Sequence, residues 1–162
     1  MLTVKLIGCA LILIGCSAVG FSAAKLYRLR VKQLEAFLRL IKHIRAQIEF
    51  YRAPLDRIFD GYEDDMLSGC GFLDGARASG AVGGFEACRG RLYLFVGEAD
   101  ELAGFFEGLG RHNADEESTH CAYYERWLDE VLSKAVAELP KCQKLCRAFG
   151  LLAGFLSAIL LL

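Results

Sequence analysis

The residues best suited to proton or metal chemistry are three histidines, His43, His112 and His120. His43 falls in a basic helical stretch and is expected to be exposed. His112 and His120 flank an acidic segment, and with Asp115 they could be drawn as a metal site. Nothing in the spacing fixes that geometry, because a metal centre needs its donors to converge on one point. The carboxylates Asp64-Asp65 and Glu116-Glu117 are adjacent pairs. Neighbours on a helix point apart, so these pairs read as solvated faces or helix-dipole partners and not as an acid/base dyad. Seven cysteines include no CxxC pair. Cys9 and Cys16 lie in an apolar run, Cys142 and Cys146 are four apart, and Cys70, Cys88 and Cys121 are scattered. This reads as small apolar side chains in a reducing compartment, without a disulfide framework or zinc spacing. Residues 75–84 look like a phosphate loop but lack its Gly-Lys-Ser/Thr ending. No Ser-His-Asp order, GxSxG or HExxH occurs. No catalytic, cofactor-binding or metal-binding residue is assigned, and the expectation is a scaffold or interaction role without enzymatic activity.

The elements that would position such a scaffold are set by the two ends. Residues 6–24 are nineteen positions without a charge, and residues 148–162 are fifteen more. At the helical rise the first run covers about 28 Å, close to a ~30 Å hydrocarbon core, and the second about 22 Å, so it needs part of 145–147 as well. Small residues recur in both runs. Gly20 with Ala24, and Gly150 with Gly154, are small-xxx-small pairs that let a partner helix approach closely in lipid. Lys25, Arg28, Arg30 and Lys32 follow the first run, and Lys141, Lys144 and Arg147 precede the second. The positive-inside rule then predicts a cytoplasmic middle, with both termini across the membrane. Ser22-Ala23-Ala24 also resembles a signal-peptide cut, and Leu13-Ile14-Gly15-Cys16 a lipoprotein box. The alternative reading is therefore an exported helical lipoprotein lipidated at Cys16. Against it, the basic cluster follows the apolar run, and the chain stays apolar for eight residues past Cys16.

Between the ends, the predicted domains are an anchor at 1–24, a helical bundle at 25–147 and an anchor at 148–162. Leu34, Leu38, Ile41, Ile44 and Ile48 fall at helical spacing, with Phe37 alongside, and predict a long amphipathic helix continuing from the first run. Pro54 should end it. Residues 61–84 hold seven glycines and read as a flexible connection with a short helix around Met66. Residues 85–95 suggest another short helix. A further helix should begin at Asp100, with Leu102, Phe105, Phe106 and Leu109 inside and Gly110 as its stop. Cys121, Tyr124, Leu128, Val131 and Ala135 form the last stripe, flanked by Trp127, and Pro140 should kink or break it. The fold class is all-α: two terminal transmembrane helices flanking a bundle of five or six helices, with no strand. The formal charge is −1, which suggests no nucleic-acid partner, but its distribution is uneven. Residues 25–57 carry nine Lys/Arg against three acids, and residues 60–130 carry sixteen acids against five arginines. The basic segment could pair internally with the acidic one, or form a collar at anionic headgroups.

The order of Gly20-Phe21, Ala24-Lys25, Tyr27-Arg28, Gln33-Leu34, Ile48-Glu49, Tyr51 and Pro54-Leu55 resembles the stage III sporulation protein AB family of endospore-forming bacteria. So do Leu109-Gly110 before an acidic helix start, Leu145, Phe149-Gly150 and Leu152-Ala153-Gly154-Phe155. Ala53, Ser118, Pro140 and the Gly-rich segment depart from that pattern. The resemblance implies a helical cytoplasmic domain similar to the inner-membrane platform protein of type II secretion and type IV pilus systems. It implies a place in the channel linking mother cell and forespore, at the mother-cell membrane. The implied partners are membrane lipid and other stage III sporulation proteins, including a cytoplasmic secretion-type ATPase, with room for a homo-oligomer.

Overall fold

A computed structural model describes the backbone of residues 2–51, 55–111 and 113–161. It describes the side chains of residues 14–15, 18–50, 57–111, 113–146, 148–149 and 152. The helical stripe read from the sequence is the spine of the fold. Helix α1 (Leu2–Ala46) buries Leu34, Phe37, Leu38, Ile41 and Ile44, and Ile48 lies in a π-helical turn (Gln47–Tyr51) that widens its end. Val31, Ala36 and Leu40 are buried as well, so α1 is covered on more than one side. Helices α2 (Leu55–Ile58), α3 (Asp65–Cys70), α4 (Phe72–Cys88), a 3-10 turn (Arg89–Arg91), α5 (Val96–Gly108) and α6 (Ala114–Leu161) follow. The described residues contain no strand. The chain divides into two compact units, one of Met1–Leu29 with Ala135–Leu162 and one of Arg30–Lys134.

The core of the second unit is aromatic. Phe37 meets Phe72, Phe85 and Phe106 edge-on, with centroids 5.7, 6.0 and 6.2 Å away. All four rings are at most 1% exposed. One α1 side chain therefore fastens both arms of α4 and the last turn of α5, and each such buried ring contributes about 1.5–3 kcal/mol.

Residues 61–84 are not a flexible connection. Asp64 starts α3 by accepting from the Met66 and Leu67 N–H groups at 2.9 and 3.2 Å, and Gly71 ends it at φ +86°. Helix α4 then turns on Gly80 (φ +78°, ψ 171°), a backbone state open essentially to glycine. Its two arms pack so closely that a Cβ on Gly84 would lie 2.4 Å from Ala76 N and 2.8 Å from the Phe72 carbonyl. Here glycine is a packing residue, which composition alone reads as flexibility. Gly84→Ala is expected to lower stability by ~1–3 kcal/mol through overpacking. Gly69→Ala, a helical site with open space around it, should be neutral or stabilising by up to ~1 kcal/mol. Thermal unfolding of the full chain in detergent, followed by circular dichroism, compares the two.

Three other expectations change. Residues 85–88 are the last turn of α4, and 92–95 are non-helical, so no separate helix spans 85–95. Helix α5 begins at Val96 instead of Asp100, because Glu98 reaches back to accept the Phe95 N–H at 2.9 Å. Helix α6 runs unbroken through Pro140. Pro140 and Val136 are both exposed, so the carbonyl that proline leaves without a donor can be hydrated. Pro54 lies outside the described residues. No helix among the described residues is long and apolar enough to cross a membrane. Most side chains of the runs at 6–24 and 148–162 fall outside those residues, so the transmembrane expectation lies largely outside them.

Candidate interaction surface

Arg30 is the first residue of the second unit and is 8% exposed. Burial of a guanidinium requires a partner of opposite charge. Glu98 supplies it: Arg30 Nε donates to Glu98 Oε2 at 3.0 Å, and Nη2 donates to Oε1. The guanidinium also lies 3.8 Å from the centroid of the Phe95 ring, a cation–π contact. Glu98 thus neutralises a buried cation and caps α5 at once. Gln33, 2% exposed, accepts the Tyr93 N–H at 2.6 Å. The turn at 92–96 is therefore held by two α1 side chains, while Tyr93, Phe95 and Val96 are 43%, 52% and 78% exposed.

The basic charge of α1 divides into two groups. Its far end pairs internally: Arg39 with Asp64 at 2.6 Å, Arg45 with Glu125 at 3.2 Å, and Lys42 with Glu125 at 3.9 Å. At the near end only Arg30 does so among the described residues. Lys25, Arg28 and Lys32 are exposed, and no ion pair forms on them among the described residues. Internal complementarity and a free basic collar therefore coexist on one helix.

Glu49 accepts from the Ser118 hydroxyl and from Arg45 at 2.9 Å. These two donors, the hydroxyl first, hold its carboxylate below the ordinary range. A lowered carboxylate favours the fold above its unfolded pKa, and that contribution is lost as pH falls through the folded value. Ser118→Ala should move the Glu49 titration upward, toward the ordinary carboxylate range. Carbon-detected NMR of the Glu side chains reads the shift, and an unmoved curve refutes the assignment.

The candidates for chemistry disperse into structural roles. Asp64 is a helix cap and an ion-pair partner, with a side chain only 7% exposed, and not a solvated carboxylate. Glu117 is likewise buried, at 4% exposure, and accepts the Gly110 N–H at 3.0 Å. Asp65 and Glu116 are exposed, and Asn113 caps α6 by accepting the Glu116 N–H at 2.9 Å. His43 is half-buried instead of exposed, its ring 4.8 Å from that of Tyr62. His120 stacks on Phe105 at 5.4 Å and 9°, Asp115 is exposed, and His112 lies outside the described residues. No three His, Cys, Asp or Glu side chains among the described residues are grouped to hold a metal ion. Cys70, Cys88, Cys121, Cys142 and Cys146 are free thiols. The Cys88 thiol donates to the Phe85 carbonyl at 3.3 Å and, as the neighbour of Cys70, holds that thiol below the ordinary range, whereas burial pushes Cys121 up to about 12. Among the small residues, Gly20 is buried and Ala24 is 3% exposed. Gly150, Gly154 and Cys16 fall among the positions whose surroundings are not described.

Sequence reasoning missed Arg30, Gln33 and Glu98 as a constellation. A signal existed, since Glu98 stands at the third position of a helix that follows an extended turn.

A family model for stage III sporulation protein AB matches residues 5–71 and 83–162. The stage III sporulation protein AB of Bacillus subtilis (strain 168) is 24% identical over 173 aligned positions, covering 98% of this chain and 99% of the relative. No solved structure matches the chain. The gap in the family match, 72–82, is the first arm of α4 with its Gly80 turn, the segment where glycines do the packing. The match runs through the collar, the Arg30–Glu98 junction and both apolar runs, and on its extent the chain belongs to the stage III sporulation protein AB family.

Proposed function

We propose that this chain is a membrane-anchored platform in the transenvelope channel between mother cell and forespore, with no catalysis of its own. Its two apolar runs anchor it in the mother-cell membrane, and its helical unit faces the cytoplasm. There it docks a cytoplasmic secretion-type ATPase against the other stage III proteins of the complex. The observation that carries this reading is the charge arrangement around the ends. Two charge-free runs are each bordered on the inner side by Lys and Arg. Among the described residues, Lys25, Arg28 and Lys32 near the first run are exposed and form no ion pair, although Arg30 and the basic residues farther along α1 are neutralised internally. Both runs belong to one compact unit, which suits packing through Gly20 and Ala24 against Gly150 and Gly154. A homo-oligomer is compatible with this reading.

Protease added outside intact sporulating cells should leave the segment 30–134 uncut, and permeabilised cells should lose it. Cleavage in intact cells overturns the topology. The full chain solubilised in detergent should retain the ATPase in a salt-dependent manner. Absence of retention at every salt concentration removes the docking role and leaves the anchoring intact.

A further inference from the structure

The ends of α3 and α4 bring two thiols together at the base of the hairpin that turns on Gly80. Cys70 is the last residue of α3, just before the first arm of α4, and Cys88 is the last residue of the second arm. The two are neighbours within the unit Arg30–Lys134, and both are free thiols. Each rests on its own helix: Cys70 Sγ donates to the Leu67 carbonyl and Cys88 Sγ to the Phe85 carbonyl, both at 3.3 Å. Between them the chain runs along one arm, turns at Gly80 and returns along the other. A bond between the two sulfurs would therefore close the hairpin at its open end.

The surroundings of the two thiols differ, and the difference assigns them different tasks. Cys88 is fully buried, whereas Cys70 borders a cavity of about 430 Å³. Gly69, Gly90 and Arg91 line the same cavity and are exposed, so a small solute can enter it. Arg91 stands close to the thiol it would activate: a Cβ on Gly71, the residue after Cys70, would lie 3.3 Å from its guanidinium. The thiolate is the reactive form of cysteine, and an accessible, electropositive setting favours it. At Cys70 the neighbouring Cys88 thiol first, then the Phe72 backbone and the Arg91 charge, favour the thiolate against burial. Cys88 is held above the ordinary range, by Cys70 first and by burial second, so it keeps its proton until it is needed. Cys121 is the contrast, a buried thiol that burial makes inert.

We propose that Cys70 and Cys88 are a peroxide-sensitive pair, in which Cys70 is oxidised from the cavity and Cys88 converts it to a disulfide that staples the two arms of α4. The Cys70 sulfur attacks one oxygen of hydrogen peroxide and the O–O bond breaks. Cys70 becomes a sulfenic acid, and the departing hydroxide takes the thiol proton to leave as water. The Cys88 sulfur then attacks the Cys70 sulfur. The S–S bond forms, the S–O bond breaks, and the hydroxyl leaves with the Cys88 proton as a second water. The two sulfurs lose two electrons, which the peroxide receives. A dithiol reductant restores both thiols by exchange. Intracellular disulfides of this kind are transient and redox-sensing. Every residue in the proposal lies in the unit Arg30–Lys134, so it stands apart from the anchored reading.

The test uses the full chain, reduced and solubilised in detergent. It is exposed to hydrogen peroxide, its remaining thiols are blocked with N-ethylmaleimide in denaturant, and it is digested without reductant for mass spectrometry. The expected product is a linked pair of peptides carrying Cys70 and Cys88, lighter by two hydrogens than the separate peptides and split by dithiothreitol. Cys121 should be recovered as a blocked thiol. In Cys88→Ala the sulfenic acid has no thiol to meet, so dimedone should trap it at Cys70. Amide exchange at residues 72–88 should slow in the oxidised chain and return to its former rate with dithiothreitol. Recovery of Cys70 and Cys88 as thiols while Cys142 or Cys146 is oxidised overturns the proposal. A link from Cys70 to any other cysteine overturns it as well. Unchanged exchange at 72–88 in a linked chain overturns the staple. The linked peptides are sought in the unaltered chain, so that result decides the proposal even if Cys88→Ala fails to fold.

Discussion

Glu98→Ala is expected to lower the stability of the chain by ~3–5 kcal/mol, the cost of leaving one partner of a buried ion pair alone. The side chains of Arg30 and Glu98 are each 10% exposed, so water cannot replace the lost carboxylate at the guanidinium. The same substitution removes the acceptor for the Phe95 N–H and loosens the start of α5. Two companion variants separate these causes. Glu98→Gln keeps a carbonyl oxygen for the Phe95 N–H and removes only the charge, so its loss should be nearly as large. The double variant Arg30→Met with Glu98→Leu removes both charges and replaces them with apolar volume. It should recover most of the stability, since such swaps are often neutral or better. Denaturant unfolding of the full chain in detergent measures all three. If the double variant is as unstable as Glu98→Ala, the pair is not the source of the loss.

The pair also fixes the turn at 92–96. Arg30 holds the Phe95 ring, so Glu98→Ala should release the turn at 92–96 even in molecules that remain folded. A defect confined to the turn would appear as faster amide exchange at residues 92–96 with the aromatic core unchanged. The stable double variant lacks the guanidinium under Phe95, so it should show the same local exchange without global destabilisation. The position of the turn and the stability of the bundle are thus separable by mutation.

The parts of this fold that were legible in the sequence are those where one local rule decides. The stripe on α1 announces itself because Leu34, Leu38, Ile41, Ile44 and Ile48 recur at helical spacing and are all buried. The interior of α5 is legible for the same reason, since Leu102, Phe105 and Phe106 are buried as expected. Legibility fails where a long-range partner overrides a local preference. Glycine disfavours helices, so 61–84 reads as a loop. Yet Gly75 and Gly84 let two short arms approach more closely than any side chain would allow. Asp64 and Glu117 read as solvated because their partners, Arg39 for one and the Gly110 N–H for the other, cannot be paired with them by spacing. The start of α5 is four residues early for a similar reason, because Glu98 answers both to its own helix and to Arg30, sixty-eight positions away.

Phe37→Ala is the second large loss expected, at ~3–5 kcal/mol, from lost burial and the cavity that remains. Total stabilities run to about 5–15 kcal/mol, so this one change takes a large share. Geometry places the loss in the upper half of its range. Phe37 is fully buried and its ring faces Phe72, Phe85 and Phe106. These lie on opposite arms of α4 and on α5, and the arms of α4 are braced against each other at Gly84. A cavity at Phe37 closes only if α4 or α5 moves toward α1. The Gly75–Gly84 contact resists the first movement, and the Arg30–Glu98 pair resists the second. Phe37→Leu keeps most of the volume and should cost less than ~1.5 kcal/mol. Neither variant alters the charge-free runs, so a difference between their unfolding midpoints reads the core alone. A Phe37→Ala loss no greater than that of Phe37→Leu would mean that the ring is not what joins α4 and α5 to the spine.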